Sequence, residues 1–119
     1  MIRIGSIVIR VDDLLGQYEF WSAALRYQAA RPGPGDDFVV LRAADGAGPH
    51  ISLDAAPSLR QLPPRVHLDL YADDQSADVE RLVGLGAVRV EWDRRPADAD
   101  YVILQDPEGN RFCVVDAGG

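Results

Sequence analysis

Near its start the chain reads Ser6-Ile7-Val8-Ile9-Arg10-Val11-Asp12-Asp13, and 61 positions later it reads His67-Leu68-Asp69-Leu70-Tyr71-Ala72-Asp73-Asp74. Each octad alternates apolar residues with other residues, ends in two aspartates and leads into a segment with helical spacing. The repeat continues further along the chain. The segment Asp37-Phe38-Val39-Val40-Leu41 corresponds to Asp100-Tyr101-Val102-Ile103-Leu104, and Ile51-Ser52-Leu53-Asp54 corresponds to Phe112-Cys113-Val114-Val115. Two half-length copies of one strand–helix–strands unit predict a pseudo-twofold domain with a cleft where the two sheets meet.

The apolar spacing and the turn residues predict the same order of elements in both halves. In the first half we expect a strand over 2–12, a helix over 14–26, and strands over 37–43 and 50–54. In the second half we expect a strand over 65–71, a helix over 75–85, and strands over 87–92, 100–105 and 111–115. These elements indicate a single α+β domain over 1–119, made of modules 1–56 and 65–119 and a proline-containing connector, 57–64.

The first helix has a recognisable start and a recognisable inner side. Asp12 or Asp13 can cap it, because an aspartate side chain accepts hydrogen bonds from the free N–H groups of the first turn. Phe20 and Trp21 on this helix are expected to pack against the sheet in the core.

Composition limits the class of protein. The 119 residues are 47% hydrophobic, which is enough for a core, and the net charge of −7 disfavours nucleic acid and anionic membranes as partners. No apolar run reaches about 18 residues, and the first residues do not resemble a signal peptide, so a cytoplasmic protein is expected. The single cysteine, Cys113, excludes an internal disulfide.

Alternation along the strands separates an apolar face from a more polar one. Ile7, Ile9 and Val11, with Val66, Leu68 and Leu70, should face the helices, and their neighbours should face the cleft. Burying polar groups on the face toward the cleft is unfavourable unless water or a ligand contacts them. The polarity of this face therefore indicates a binding cavity. Trp92 and Tyr101 could stack there on a flat ligand, although packing explains them equally well. The predicted ligand-binding residues are Ser6, Val8, Arg10, His50, Ser52, Asp54, His67, Asp69, Trp92, Tyr101 and Cys113.

Three of these residues are candidates for catalysis. His67 and Asp69 could perform acid–base chemistry. Cys113 could be a nucleophile if His67 lowered its pKa. The structural alternative is that the histidine is hydrogen-bonded within the sheet and the cysteine is inert packing.

Further motifs follow in a fixed order, namely Asp12-Asp13, Phe20-Trp21, Leu25, Arg65-Val66-His67-Leu68-Asp69-Leu70, Leu85-Gly86-Ala87 and Asp106-Pro107-Glu108-Gly109-Asn110-Arg111-Phe112-Cys113. In this order and spacing they resemble the vicinal oxygen chelate superfamily, specifically its glyoxalase-like domains and bleomycin resistance proteins, over nearly the whole chain. The resemblance implies two βαβββ modules in a pseudo-twofold arrangement whose sheets form a cup, often completed by a homodimer.

The resemblance also implies where a metal would bind. Metal-dependent members take one ligand, usually His, Gln or Glu, from the first strand and one from the last strand of each module. Carried over by position, the four places are Ser6, Ser52, His67 and Cys113, of which only His67 is a usual ligand. We therefore expect no metal at this site and no other cofactor. The alternative is a divalent ion in a shifted site that uses Asp54 and Asp69.

The expected function is binding of a small organic molecule in the cup between the modules, for sequestration, sensing or resistance. One alternative is a lyase or isomerase, or a divalent-metal-dependent enzyme, that uses His67 with nearby carboxylates. Another is a regulatory or structural subunit. The expected partners are a small-molecule ligand and a second copy of the chain.

Overall fold

A computed structural model describes residues 1, 3–59, 62 and 64–118 of the chain. Residue 2 of the predicted first strand and residues 60, 61 and 63 of the predicted connector lie outside the described residues. The chain divides into two compact units, Met1–Leu59 and Arg60–Gly119, which we call the first and the second module. Within the described part of the chain, neither helix has the length and apolar character that crossing a bilayer requires.

Both modules contain a helix and a mixed sheet, which confirms the predicted α+β class and the two-module organisation. The first module contains β1 (Ser6–Arg10), α1 (Leu14–Leu25), β2 (Phe38–Leu41) and β3 (His50–Asp54). Its sheet has the order β1-β3-β2, with β1 parallel and β2 antiparallel to β3. The second module contains β4 (Leu68–Ala72), α2 (Gln75–Gly84), β5 (Val88–Arg89), β6 (Tyr101–Gln105) and β7 (Arg111–Asp116). Its sheet has the order β4-β7-β6-β5.

The register of the parallel strand pair is the same in both modules. Val8 lies opposite Ser52 in the first module, and Asp69 lies opposite Cys113 in the second. Both members of the second pair stand 61 positions after those of the first. The sequence repeat is therefore a repeat of backbone hydrogen bonding.

Among the residues that the structure describes, the first module has one strand fewer than the second. Where the second module forms β5, the first has only an isolated antiparallel bridge between Gln28 and Arg42, closed by hydrogen bonds of 2.7 and 3.0 Å. Gln28 stands 61 positions before Arg89 of β5, so the fourth strand of this module is reduced to a single pair of residues. The nearby Pro32 and Pro34, which lack an N–H group, limit how far a strand can extend there.

Each helix begins at an aspartate cap and covers one face of its sheet. The Asp13 carboxylate accepts a hydrogen bond from the Gly16 N–H at 3.1 Å, and Asp74 accepts one from Ala77 at 3.1 Å. In the first module α1 packs against β2 and β3, and in the second α2 packs against β7. The residues buried at these contacts form two separate sets, each within one module: Trp21, Phe20, Leu41, Ile51 and Leu53 in the first, and Val79, Leu82, Leu104, Phe112 and Val114 in the second.

Phe20 and Trp21 lie in the core as predicted, with exposures of 3% and 1%. Their rings meet edge to face, with centroids 5.1 Å apart. Edge-to-face packing of this kind adds about 1 kcal/mol to the free energy gained by burying the rings.

Three strand predictions are wrong in extent. The strand predicted over 65–71 begins at Leu68, so His67 precedes it and Val66, expected to face the helix, is 81% exposed. Pro64, which has no N–H to donate, stands just before this segment. The strand predicted over 87–92 is limited to Val88–Arg89, because the chain turns at Trp92, whose carbonyl accepts a hydrogen bond from the Arg95 N–H. The first strand, predicted over 2–12, extends over Ser6–Arg10.

The turn between β6 and β7 is built around a buried carboxylate. Asp106 is 1% exposed and accepts hydrogen bonds from the Glu108 N–H, the Asn110 N–H and the Asn110 side-chain amide, each at 2.9 Å. Gly109 adopts a φ of 88°, a conformation that glycine reaches without steric strain. This turn fixes the start of β7 and, two residues further on, the position of Cys113.

Candidate functional site

Within the described residues, each sheet has one face that the helix of its own module does not cover, which we call its open face. Register partners project to the same side of a sheet, so the β1–β3 pairing places Ser6, Val8 and Arg10 beside His50, Ser52 and Asp54. The two central residues between them, Ile51 and Leu53, point the other way and are buried. The predicted grouping of these six residues on one face of the first sheet is confirmed. Their role in binding a ligand stays a prediction.

Two serines on this face bind each other. The Oγ atoms of Ser6 and Ser52 are 2.6 Å apart, a short hydrogen bond between hydroxyl groups. Ser52 is 3% exposed, so its hydroxyl depends on this partner. Both groups are neutral, and each already uses part of its hydrogen-bonding capacity on the other.

The open face of the second sheet carries acidic, aromatic and sulfur groups together. Asp69 lies opposite Cys113, and Tyr71 lies opposite Val115. On the other side of β7, Tyr101 is also a register partner of Val115, so this residue has a tyrosine on each side. Tyr71 is 77% exposed, which leaves its ring accessible.

His67, Asp69 and Cys113 converge at one edge of this face. The Nε2 atom of His67 is 3.0 Å from Oδ1 of Asp69, and the donor atoms of all three side chains lie within 4.8 Å of one another. Asp69 is close to Cys113 because the two are register partners, and His67, which directly precedes β4, contacts Asp69 through its side chain. The side chains of His67 and Asp69 are 45% and 48% exposed, so solvent reaches the group.

The surroundings of Cys113 favour its protonated form. Burial raises the pKa of the Cys113 thiol, and the Asp69 carboxylate raises it further, by charge repulsion and by accepting a hydrogen bond. Burial and then the Asp69 carboxylate set the direction of this shift, and a role of Cys113 as a nucleophile stays a prediction. A nucleophilic thiolate at neutral pH is disfavoured in this arrangement.

Other predicted site residues are distributed more widely. Arg10 donates a hydrogen bond to the Pro57 carbonyl at 3.4 Å. Tyr101 lies on β6, and the Arg95 guanidinium stands over its ring, 5.5 Å from the centroid. Trp92 was expected on a strand, but it lies beyond the end of β5 and is 43% exposed. His50 lies opposite Ser6.

Two residues of the open faces were missed in the sequence. Phe38 is the register partner of Asp54 and is 48% exposed, the counterpart of Tyr101 in the first module. Arg111 lies two residues before Cys113, and its buried Nε has no hydrogen-bond partner among the described residues. The repeat carried the signal for both, because Phe38 stands 63 positions before Tyr101 and Arg111 stands 61 after His50.

A four-ligand metal site of the kind implied by the family resemblance does not fit these residues. At the two positions in the first module, the serine hydroxyls are neutral and hydrogen-bonded to each other. Divalent ions in proteins select imidazole, thiolate and carboxylate donors. At the two positions in the second module, His67 and Cys113 are such donors, and Asp69 stands with them.

Comparison with known proteins gives a consistent result. Residues 6–115 match the family model described as a glyoxalase-like domain. A possible glyoxalase from Bacillus cereus aligns with a TM-score of 0.70 and 19% identity, covering 97% of this chain and 99% of that one. A glyoxalase/bleomycin resistance protein/dioxygenase superfamily member from Sphaerobacter thermophilus has a TM-score of 0.66 and 20% identity, covering 97% of each chain. The trypanothione-dependent glyoxalase I of Leishmania major has a TM-score of 0.69 and 16% identity, covering 98% of this chain and 87% of that one. No curated protein matches the chain by sequence.

Proposed function

Because the chain belongs to the glyoxalase-like domain family, whose model matches residues 6–115, we propose that it binds a small cationic organic molecule on its open sheet faces. The proposed binding does not use the four-ligand metal site of metal-dependent relatives, since serines stand at two of its positions. A role in sequestering, sensing or resisting such a molecule agrees with the presence of bleomycin resistance proteins among its structural neighbours.

The pairing of aromatic rings with carboxylates on the open faces carries this proposal. Phe38 lies opposite Asp54 in the first module, and in the second Tyr71 lies two residues from Asp69 on the same side of β4. Aromatic faces attract cations, and nearby carboxylates add charge attraction. The chain itself contains an example of this attraction, because the Arg95 guanidinium stands over the ring of Tyr101.

The overall charge supports the same class of ligand. The formal net charge is −7, so the protein attracts cations over a distance of about a Debye length, ~8 Å at physiological ionic strength. A neutral or anionic ligand gains nothing from this field. We therefore expect flat, positively charged molecules, including peptide-like antibiotics, to bind best.

Thermal-shift screening followed by calorimetry tests the proposal. We expect cationic aromatic or peptide-like compounds, with bleomycin as the first probe, to raise the melting temperature, and Tyr71→Ala to reduce that shift. The matched control is Val83→Ala, which removes a 41% exposed apolar side chain from helix α2 instead of the open face. Preferential binding of anionic compounds, or equal loss in both variants, contradicts the proposal.

A second candidate function is acid–base catalysis by a lyase or isomerase. The 3.0 Å contact of His67 with Asp69 favours it, because a carboxylate that holds an imidazole in place is a common feature of general bases. A glyoxalase assay of the wild type and of His67→Gln tests it. Turnover that is equal in the two proteins, or absent from both, removes this candidate.

We also propose that the chain forms a homodimer. Several large apolar side chains of the described residues are strongly exposed, including Leu59 at 94% and Val66 at 81%. Such side chains are often covered by a partner. Light scattering after size-exclusion chromatography should give twice the 13.0 kDa chain mass, and a monomer at micromolar concentration contradicts this proposal.

A further inference from the structure

The outer edge of β2 carries main-chain groups that face no neighbouring strand. Among the described residues, β2 has a strand on one side only, which is β3. In an antiparallel pair, the main-chain groups of successive residues point alternately toward the partner and away from it. The Ala55 N–H donates to the Asp37 carbonyl at 2.8 Å, so Phe38 and Val40 direct their N–H and C=O groups away from β3. We call these two residues the free-edge pair, because such groups can pair with another chain.

The second module has the same edge with its hydrogen bonds formed. Tyr101 and Ile103 of β6 stand 63 positions after the free-edge pair. The Ile103 carbonyl accepts a hydrogen bond of 2.9 Å from the Val90 N–H, just beyond the end of β5. The Tyr101 carbonyl accepts one of 3.0 Å from Nε of Arg95. In the described part of the first module, the free-edge pair has no corresponding bonds on this side.

A pocket of about 390 Å³ lies along this edge of the first module. Segment 29–32 forms its far wall, and Phe38, Val39 and Val40 form the near wall. The far wall is apolar apart from Arg31, since its other residues are two alanines and a proline. A volume of this size is within the range of ligand-binding pockets.

Contacts with α1 hold the far wall in place. The Tyr18 hydroxyl donates to the Ala29 carbonyl at 3.2 Å, and the Arg31 guanidinium pairs with the Glu19 carboxylate at 2.8 Å. Both partners are neighbours on α1, so segment 29–32 is fixed to the helix and not to β2. Pro32 has no N–H group to donate to a neighbouring strand. The gap is therefore part of the fold, and the segment beside it does not supply the missing strand.

We propose that this edge binds an extended peptide, which adds a strand to the sheet of the first module. Strand addition of this kind takes affinity from main-chain hydrogen bonds and selectivity from the surroundings of alternate side chains. The two members of the free-edge pair exchange bonds with every second residue of a neighbouring strand, so about three peptide residues are needed. The apolar far wall favours apolar side chains on that peptide. The inference does not rest on the proposed organic cation, which binds the open faces.

A second copy of the chain fits this edge less well than a single peptide. Its own β2 is flanked by the same segment 29–32. Two such flanks hold the edges further apart than the ~4.8 Å between paired strands. A short peptide has no flank of its own and can enter the gap.

Amide hydrogen exchange, followed by NMR on the whole chain, locates the binding. The probe is the peptide Val-Thr-Val, acetylated and amidated so that it has no charge, with β-branched residues that favour an extended chain. At saturation we expect the amides of Phe38 and Val40 to exchange about tenfold more slowly, because each gains a partner. The amides of Val39 and Leu41, which already face β3, should change little. Equal slowing at all four positions, or none, overturns the proposal.

Methylation of the peptide's own N–H groups gives a matched control on the unaltered protein. In an extended tripeptide, the N–H groups of the first and third residues point to one side and that of the middle residue points to the other. Methylation on the side that faces β2 should weaken binding about tenfold, and methylation on the other side should leave the affinity unchanged. The proposal is overturned if the two methylated peptides bind equally, or if the parent peptide shows no saturable binding.

Proline substitution tests the protein side of the same bonds. Val40→Pro removes an N–H that points away from β3, so the sheet keeps its own bonds, and peptide affinity should fall about tenfold. Arg89→Pro removes an N–H that points away from β6 at the edge of the second sheet, and it should bind the peptide like the wild type. Unchanged peptide affinity in Val40→Pro overturns the proposal. So does conversion of a dimer to monomers in that variant without loss of peptide binding, which would assign the edge to a second copy.

Discussion

Asp69 and Cys113 are register partners in the parallel β4–β7 pair, and burial and the neighbouring carboxylate both raise the pKa of the Cys113 thiol. In the first module the equivalent positions hold Val8 and Ser52, which carry no charge. The same backbone arrangement thus presents an apolar–hydroxyl pair in one module and an acid–thiol pair in the other.

The thiol of Cys113 should react slowly with alkylating agents. Burial and the Asp69 carboxylate raise its pKa, so the thiolate fraction at pH 7.5 is smaller than in a free cysteine. Asp69→Asn removes the charge and should speed alkylation by iodoacetamide, with the midpoint of the pH–rate profile moving to lower pH. Asp54→Asn, on the open face of the other module, should leave the profile unchanged, and a shift of equal size there would contradict the assignment to Asp69.

The same pKa shift makes stability depend on pH. A thiol whose pKa is higher in the folded protein than in the unfolded chain stays protonated longer when folded. Its contribution to stability is present below the unfolded pKa of about 8.5 and is lost as the pH rises through the folded value. We therefore expect the free energy of unfolding to fall between pH 8 and 10 in urea titrations, and to fall less steeply in Asp69→Asn.

Removal of the buried Asp106 carboxylate should destabilise the protein strongly. It accepts three hydrogen bonds of 2.9 Å, and Asp106→Ala leaves their donors without this partner in a buried turn. Loss of hydrogen bonds to a charged group costs about 1.5–3 kcal/mol. Urea unfolding should show at least that loss, while Asp98→Ala on the exposed 92–99 loop should change stability by less than about 0.5 kcal/mol.

Glycine at the end of α1 should stabilise the protein. Arg26 has a φ of 55°, the one positive φ among non-glycine residues in the part of the chain that the structure describes. Arg26→Gly relieves a strain of about 1 kcal/mol, which corresponds to a rise in melting temperature of about 3–6 °C. Ala23→Gly within the same helix should have the opposite sign, because it only adds backbone freedom to the unfolded chain.

The two faces of the sheets should respond differently to loss of an aromatic ring. Phe112 is 1% exposed and packs on the helix-covered side, so Phe112→Ala should cost about 3–5 kcal/mol in unfolding measurements. Phe38 is 48% exposed on an open face, and Phe38→Ala should cost less than about 1 kcal/mol. Similar losses at the two positions would mean that the open face is packed in solution.

The sequence repeat predicted the fold well because the repeated residues have the same hydrogen-bond register in both modules. Strand β3 was predicted with the observed bounds, and the aspartate cap of the first helix is confirmed at Asp13. The errors lie at strand ends next to Pro64 and Trp92. There the chain leaves the sheet although the alternation of apolar residues continues. The reduction of the fourth strand of the first module to the Gln28–Arg42 bridge could not be predicted, since a single bridge leaves no pattern of alternation.

The candidate site was less predictable than the fold. Alternation identified Asp69 and Cys113 as residues of one face, but only the register shows that they are direct neighbours. The direction in which the pKa of the Cys113 thiol shifts depends on burial and on that neighbour, and neither can be read from the sequence. Phe38 was missed although its counterpart Tyr101 was named, because an aromatic residue on a short strand is usually core.

Identical registers in the two modules have an evolutionary consequence. After gene duplication, one copy could exchange a donor for a hydroxyl group, or the reverse, without any rearrangement of the main chain. Divergence between Ser52 and Cys113 then needed only a change of side chain. New chemistry in one half could therefore arise while the other half kept the scaffold intact.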